Sequence, residues 1–129
     1  MATNSTLHLI EPLGFDISDS RVKRAGLDYW KYLQLIRHKS IEIFLDSLPT
    51  DASTVFFSTK AKKSLYAKEF KKGSYLIFGC ETKGLGEELI EKFSKDTFNI
   101  PQYDDRVRSL NLANAASIVV YEAIRQLGH

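Results

Sequence analysis

The 129-residue sequence holds a single cysteine, Cys80, so no internal disulfide can form. The fold must rest on an apolar core, and a reducing, cytoplasmic setting suits it. Long hydrophobic runs are missing, which leaves no membrane helix. The opening residues MATNSTLHLI place no basic region ahead of a long apolar stretch, so they do not read as a secretory signal. An excess of one charge is missing too: the net charge is +2 and the pI about 8.6. That balance is compatible with nucleic acid and too weak to argue for it alone. His8, His38 and His129 are scattered without a partner at metal-ligand spacing, so no metal is assigned. No Ser/His/Asp or Cys/His arrangement is legible, nor a G-x-G-x-x-G or Walker loop. What remains is the composition of one globular domain over 1–129, with 43% hydrophobic and 26% charged residues.

Along the chain, strand patterns alternate with helical ones. TLHLIEP reads as a strand closed by Pro12, and SDSRVKRAGL as a short helix stopped near Gly26. KYLQLIRH is a strand. SIEIFLDSL is a helix with Ser40 as its cap and Pro49 beyond its end. TVFFST and YLIFG are strands, the second apolar enough to predict burial on both faces. LGEELIEKFS is a helix with Glu87 and Glu88 in its first turn. TFNIP is a short strand, and LNLANAASIVVYEAIRQLG the longest helix, with Gly128 at its C-terminal end. The alternation predicts an α/β architecture: a mostly parallel sheet flanked by helices. Ligands of such sheets sit at the carboxyl ends of the strands.

Three of those ends carry polar or glycine-rich turns. Ser58 and Thr59 follow the first. The second, GCETKGLG, contains Gly79, Gly84 and Gly86, which permit positive φ and close approach of a ligand to the backbone. A plain strand-to-helix turn explains them as well. The third, IPQYDDRVRSLNLANAAS, gathers Arg106, Arg108, Ser109, Asn111 and Asn114 ahead of the last helix. A helix cap, Asn111 or Ser109, accounts for one of these five; two arginines beside a helix N-terminus suggest an anionic partner such as a phosphate. Lys60, Lys62, Lys63, Lys68, Lys71 and Lys72 form a basic stretch opposed by Glu69. It is either a solvated face, the commoner case, or a surface that steers RNA. Tyr121 lies among apolar residues of the last helix and reads as core or, preferably, as a dimer-interface residue whose hydroxyl can reach RNA.

YLIFGCETKGLG and IPQYDDRVRSLNLANAASIVVYEAIRQLG resemble the second and third motifs of the SPOUT methyltransferases. LHLIEPLGF and RVKRAGLDYW narrow the likeness to the TrmL type, the tRNA (cytidine/uridine-34 2'-O) methyltransferases. The four blocks run from Leu7 to Gly128. The resemblance implies an α/β fold with a C-terminal trefoil knot, a homodimer, S-adenosyl-L-methionine as cofactor and tRNA as partner. It places the cofactor among Phe57, Gly79, Glu81, Gly84, Leu85, Ile100, Ser109 and Leu110. Gly79 would end its strand so that adenosine can meet the backbone there. Ser109 and Asn111 would serve catalysis, Asn111 by ordering its loop. Arg21, Arg24, Arg108 and Tyr121 would meet RNA.

Members of that family begin with a further strand and helix bearing N-x-G-x-x-x-R, whose arginine is linked to the ribose hydroxyl or to phosphate. No such motif occurs in this sequence. The expectation is a domain lacking the family's first strand and helix, and with it two readings of function: 2'-O-methylation of the wobble ribose of tRNA, or a non-catalytic module that binds cofactor or RNA. Cys80 stands where proline is frequent and Ala113 where serine is common.

Overall fold

Thr54, Val55, Phe56 and Phe57 are β-branched or aromatic, the side chains that fit a pleated, buried surface. In the computed structural model, which describes residues 1–14, 17–18 and 29–128, they form an inner strand, β3 (Thr54–Phe57), with Val55, Phe56 and Phe57 buried. The preceding strands are β1 (Leu7–Ile10) and β2 (Leu35–His38); the following ones are β4 (Lys63–Ser64), β5 (Tyr75–Phe78) and β6 (Thr97–Asn99). Helices α1 (Ile41–Asp46), α2 (Glu87–Lys92) and α3 (Leu112–Leu127) lie between and after them. The expected helix over SDSRVKRAGL, with Arg21 and Arg24, lies beyond Ser18 outside the described residues.

The chain divides into two compact units, Met1–Thr50 and Asp51–His129. In the first, β1 and β2 pair in parallel, Leu7 opposite Leu35 and Ile10 opposite His38. Ser40 caps α1 as the sequence predicts: its Oγ accepts from the Ile43 N–H at 3.2 Å. Phe44 of α1 is buried and packs its ring edge against His38, 5.0 Å between centroids. His8 Nδ1 lies 2.9 Å from His38 Nε2.

The second unit holds a four-stranded sheet of order β4-β6-β3-β5, every pair parallel. Its core joins Val55, Phe57, Leu65, Phe70, Phe98, Val119 and Ala123. A fully buried phenylalanine or leucine contributes roughly 1.5–3 kcal/mol relative to leaving it exposed, so this cluster dominates the unit's stability. Helix α3 supplies Val119 and Ala123 to it and is fastened below by Gln126. The Gln126 Oε1 accepts from the Phe70 N–H at 3.0 Å, and its Nε2 donates to the Lys68 carbonyl at 2.9 Å.

Three sequence expectations change. KYLQLIRH is a strand only over β2: Trp30–Tyr32 form a 3-10 turn closed by the Leu33 N–H on the Trp30 carbonyl. Strand β5 is not buried on both faces: only Ile77 is buried, because β5 lies at an end of the sheet, and it is β3 that is enclosed. Strand β4, two residues long and lysine-bearing, has no apolar run to announce it; its pairing with β6 holds it extended.

Candidate functional site

Because β3, β5 and β6 are parallel neighbours, their carboxyl ends share one edge of the sheet. Phe57 is in register with Phe78 on one side and Phe98 on the other. Neighbouring strands lie about 4.8 Å apart, so three bends that are far apart in sequence begin within roughly 10 Å. The Ser58 N–H donates to the Phe98 carbonyl at 3.0 Å and carries the pairing one step past the strand. The Phe57 and Phe78 rings stack with centroids 5.1 Å apart, an apolar floor beneath the bends. Ile100 packs against the same cluster.

The second bend folds back on itself. Cys80 and Gly84 form an antiparallel bridge, with the Gly84 N–H donating to the Cys80 carbonyl at 2.9 Å. Gly84 and Gly86 take left-handed φ of 65° and 82°, where a side chain is strained, and both face open space. Gly79 has a different reason to be glycine. A side-chain carbon there would come 2.2 Å from the Leu85 nitrogen, so the protein's own backbone excludes it first. Glu81 is exposed at the tip and Leu85 is partly buried. The Lys83 N–H reaches the Cys80 Sγ at 3.4 Å and, with Thr82, holds the thiol pKa below its ordinary value.

In the third bend Asn111 is the cap of α3. Its Oδ1 accepts from the N–H groups of Ala113 at 3.0 Å and Asn114 at 3.3 Å. The two arginines differ. Arg106 is clamped on Asp104 through Nε at 2.9 Å and Nη2 at 2.6 Å. Arg108 is exposed and has no carboxylate partner among the described residues. Ser109 is exposed and Leu110 partly buried. Gln102, which the sequence reading did not single out, buries its Oε1 with no hydrogen-bond partner among the described residues. Nothing in sequence marks such an atom, since only tertiary packing seals it.

Thus Phe57, Gly79, Glu81, Gly84, Leu85, Ile100, Ser109, Leu110 and Asn111 all lie on the three bends of one sheet edge or at the start of α3. Tyr121 stands further along α3 and is 57% exposed, not core. Among the described residues no group of three His, Cys, Asp or Glu side chains is arranged to hold a metal ion. None of the described helices is long and apolar enough to cross a membrane.

Residues 1–121 match the SpoU rRNA Methylase family. A protein of Aeromonas hydrophila named tRNA (cytidine(34)-2'-O)-methyltransferase is 44% identical, over 98% of this chain and 81% of its own. One of Burkholderia cenocepacia with the same name is 41% identical, over 98% and 81%. Among solved structures, one from work on the 2-OH methylation of C/U34 on tRNA is 48% identical, with a TM-score of 0.86 over 95% of this chain and 78% of the other. The Streptomyces viridochromogenes SpoU methyltransferase AviRb, solved with AdoMet, is 25% identical with a TM-score of 0.81, over 98% and 49%. The chain belongs to the SpoU methylase family of RNA methyltransferases, enzymes that use S-adenosylmethionine.

Proposed function

We propose that this protein is an S-adenosyl-L-methionine-dependent tRNA methyltransferase that methylates the ribose 2'-hydroxyl of the wobble nucleotide, position 34. The observation that carries the reading is the meeting of the β3, β5 and β6 ends on one edge, with Phe57 in register with both Phe78 and Phe98. Relatives more than 40% identical over nearly the whole chain carry that activity in their names.

The bends fit the cofactor. Adenine has a flat apolar face and a polar edge, and the site offers both kinds of surface. Phe57, Leu85, Ile100 and Leu110 would hold the face. The backbone of Gly79 and Gly84 would hold the edge. The Glu81 carboxylate would accept from hydroxyl or ammonium groups. The bound cofactor supplies a methyl group on a sulfonium, ready for in-line attack.

The protein's own work is positioning and proton management. Holding the ribose hydroxyl in line supplies much of the rate. Ser109, an exposed hydroxyl beside the capped start of α3, would accept the hydrogen bond of the 2'-hydroxyl and let its proton pass to solvent. Asn111 orders this bend by capping α3. Arg108 would hold a phosphate of the same strand, with Arg21 and Arg24 as further phosphate contacts.

The same reading makes 1–129 one SPOUT domain with a C-terminal trefoil knot, working in the cytoplasm as a homodimer. The exposed side of α3, with Asn114, Ile118 and Tyr121, supports pairing through that helix.

Incubation with methyl-labelled cofactor and a tRNA transcript tests the function. The expected result is label at the 2'-oxygen of nucleotide 34, located by nuclease digestion and mass spectrometry. Cofactor binding with no transfer above a protein-free control would overturn it in favour of a binding module.

A further inference from the structure

One dense run of positive charge lies in the second unit. Residues 60–72 carry Lys60, Lys62, Lys63, Lys68, Lys71 and Lys72 against Glu69 alone, while the whole chain is only +2. The segment is thus net +5 over residues 60–72, a dense local field that attracts a polyanion.

The segment is also held in a fixed shape. Strand β4 is parallel to β6, with Ser64 opposite Asn99, so the chain leaves β4 at the same edge as the third bend. There it makes a short 3-10 turn, Leu65–Ala67, pinned inward by the fully buried Leu65 and outward presenting Tyr66, 63% exposed. The Asn99 Nδ2 donates to the Ala61 carbonyl at 2.6 Å, tying the stretch before β4 to the strand that leads into that bend. Beyond the turn, Gln126 grips Lys68 and Phe70 through both atoms of its amide. The ammonium groups of Lys63 and Lys68 lie over the Phe98 ring, 4.6 and 5.6 Å from its centroid. Lys60 is paired with Glu87. Lys62, Lys68, Lys71 and Lys72 have no carboxylate within ion-pair distance among the described residues.

Resting on the RNA substrate proposed above, we propose that this face is a second RNA-contact surface: the backbone of an unpaired RNA strand lies along Lys62, Lys68, Lys71 and Lys72, and one of its bases stacks on Tyr66. A positively charged track combined with an exposed aromatic ring is the arrangement that binds single-stranded nucleic acid without reading its sequence. Discouraging sheet-edge pairing would need only the lysine of β4 itself. It does not require an exposed tyrosine on a pinned turn, or Lys71 and Lys72 seven and eight residues past the strand. The surface adjoins the edge at which the target ribose would react, so one strand can reach both.

The test is the salt dependence of binding to an unmodified tRNA transcript, with methyl transfer followed in parallel. Removing both charges in K71A/K72A should flatten the slope of log Kd against log salt by about 1.4, since each phosphate contact on a single strand contributes about 0.7. KM for tRNA should rise while kcat at saturation stays. Tyr66→Ala should weaken binding roughly 5- to 100-fold, and Tyr66→Phe should restore it, because the ring and not the hydroxyl stacks. Lys39→Ala, on an exposed residue of the first unit, should leave the slope unchanged. Thermal melts confirm that each variant is folded. A wild-type slope in K71A/K72A, or equal losses in Y66A and Y66F, would overturn the inference and leave the proposed reaction standing. A wild-type protein that binds no tRNA would overturn both.

Discussion

A Cβ placed on Gly79 would lie 2.0 Å from the carbonyl carbon of Gly84, so the two glycines meet backbone to backbone across the second bend. The neighbour is main chain, fixed by the Cys80–Gly84 bridge, and cannot swing aside. Gly79→Ala should therefore cost about 2–3 kcal/mol, the upper part of the usual overpacking range. A differential scan should show a melting point lower by roughly 10 °C. Cofactor affinity, measured by titration calorimetry, should fall with it. Gly14→Ala is the control: nothing lies within 4 Å of a Cβ there and its φ is not left-handed, so it should melt close to the wild type. Equal melting points for the two variants would show that the bend yields.

Arg106 and Arg108 are two residues apart and differently engaged. Asp104 neutralises Arg106 through two hydrogen bonds, and the same bonds hold the Asp104 carboxyl below its usual range. Arg108 has a free guanidinium among the described residues. Hydrogen bonds to charged groups are worth about 1.5–3 kcal/mol, so Arg108→Ala should lower kcat/KM for tRNA roughly 10- to 100-fold. Arg106→Ala should cost less than about threefold, because an exposed ion pair contributes little. Steady-state kinetics on both variants decides it, and a larger loss at Arg106 would reverse the assignment.

Sequence alone reached a large share of this arrangement, for reasons that differ by element. The caps at Ser40 and Asn111 are local features, one side chain serving amides two or three residues on, so spacing reveals them. The meeting of the bends follows from strand and helix alternation, which forces parallel pairing. Burial is less legible. An apolar run such as YLIF does not say whether it will be central or at an end, and the neighbours that decide come from remote parts of the chain. Gly79 reads from the sequence as a glycine that admits a ligand to the backbone and not as one required by Gly84, since that contact exists only once the bend closes. The role of Tyr66 was hidden because a tyrosine among lysines has no period to mark it.

The imidazoles of His8 and His38 make a pH-sensitive joint between β1 and β2. Burial first, and then the charge of His38, disfavour the His8 imidazolium, so its folded pKa lies below the ordinary 6.5. The unfolded chain then takes up the proton first as pH falls. The stability tied to this group is complete above about pH 6.5, declines as pH drops through 6.5 toward the lower folded value, and levels off beneath it. Melting curves from pH 8 to 5 should show that decline, and His8→Gln should flatten it. Parallel curves for the two proteins would place the pH dependence elsewhere.

Asn111 separates loop ordering from direct participation in the reaction. Its Oδ1 serves two backbone N–H groups at the start of α3, so Asn111→Ala should cost about 1 kcal/mol of stability. Asn111→Asp keeps an acceptor in the same place and sets a negative charge at a helix N-terminus, where the macrodipole favours it. That variant should melt at or slightly above the wild type. If Asn111 acts by ordering the bend, Asn111→Asp should keep a near-normal kcat with a raised KM, since a carboxylate near the RNA repels phosphate. Asn111→Ala should lose kcat, because an uncapped first turn lets Ser109 and Leu110 stray from the reacting hydroxyl. If instead the amide Nδ2–H touches ribose or cofactor, both variants lack that donor and should lose kcat alike. Single-turnover rates with saturating cofactor, read beside the two melting points, distinguish these cases: a cap restored without activity would make Asn111 a catalytic residue and no longer a positioning one.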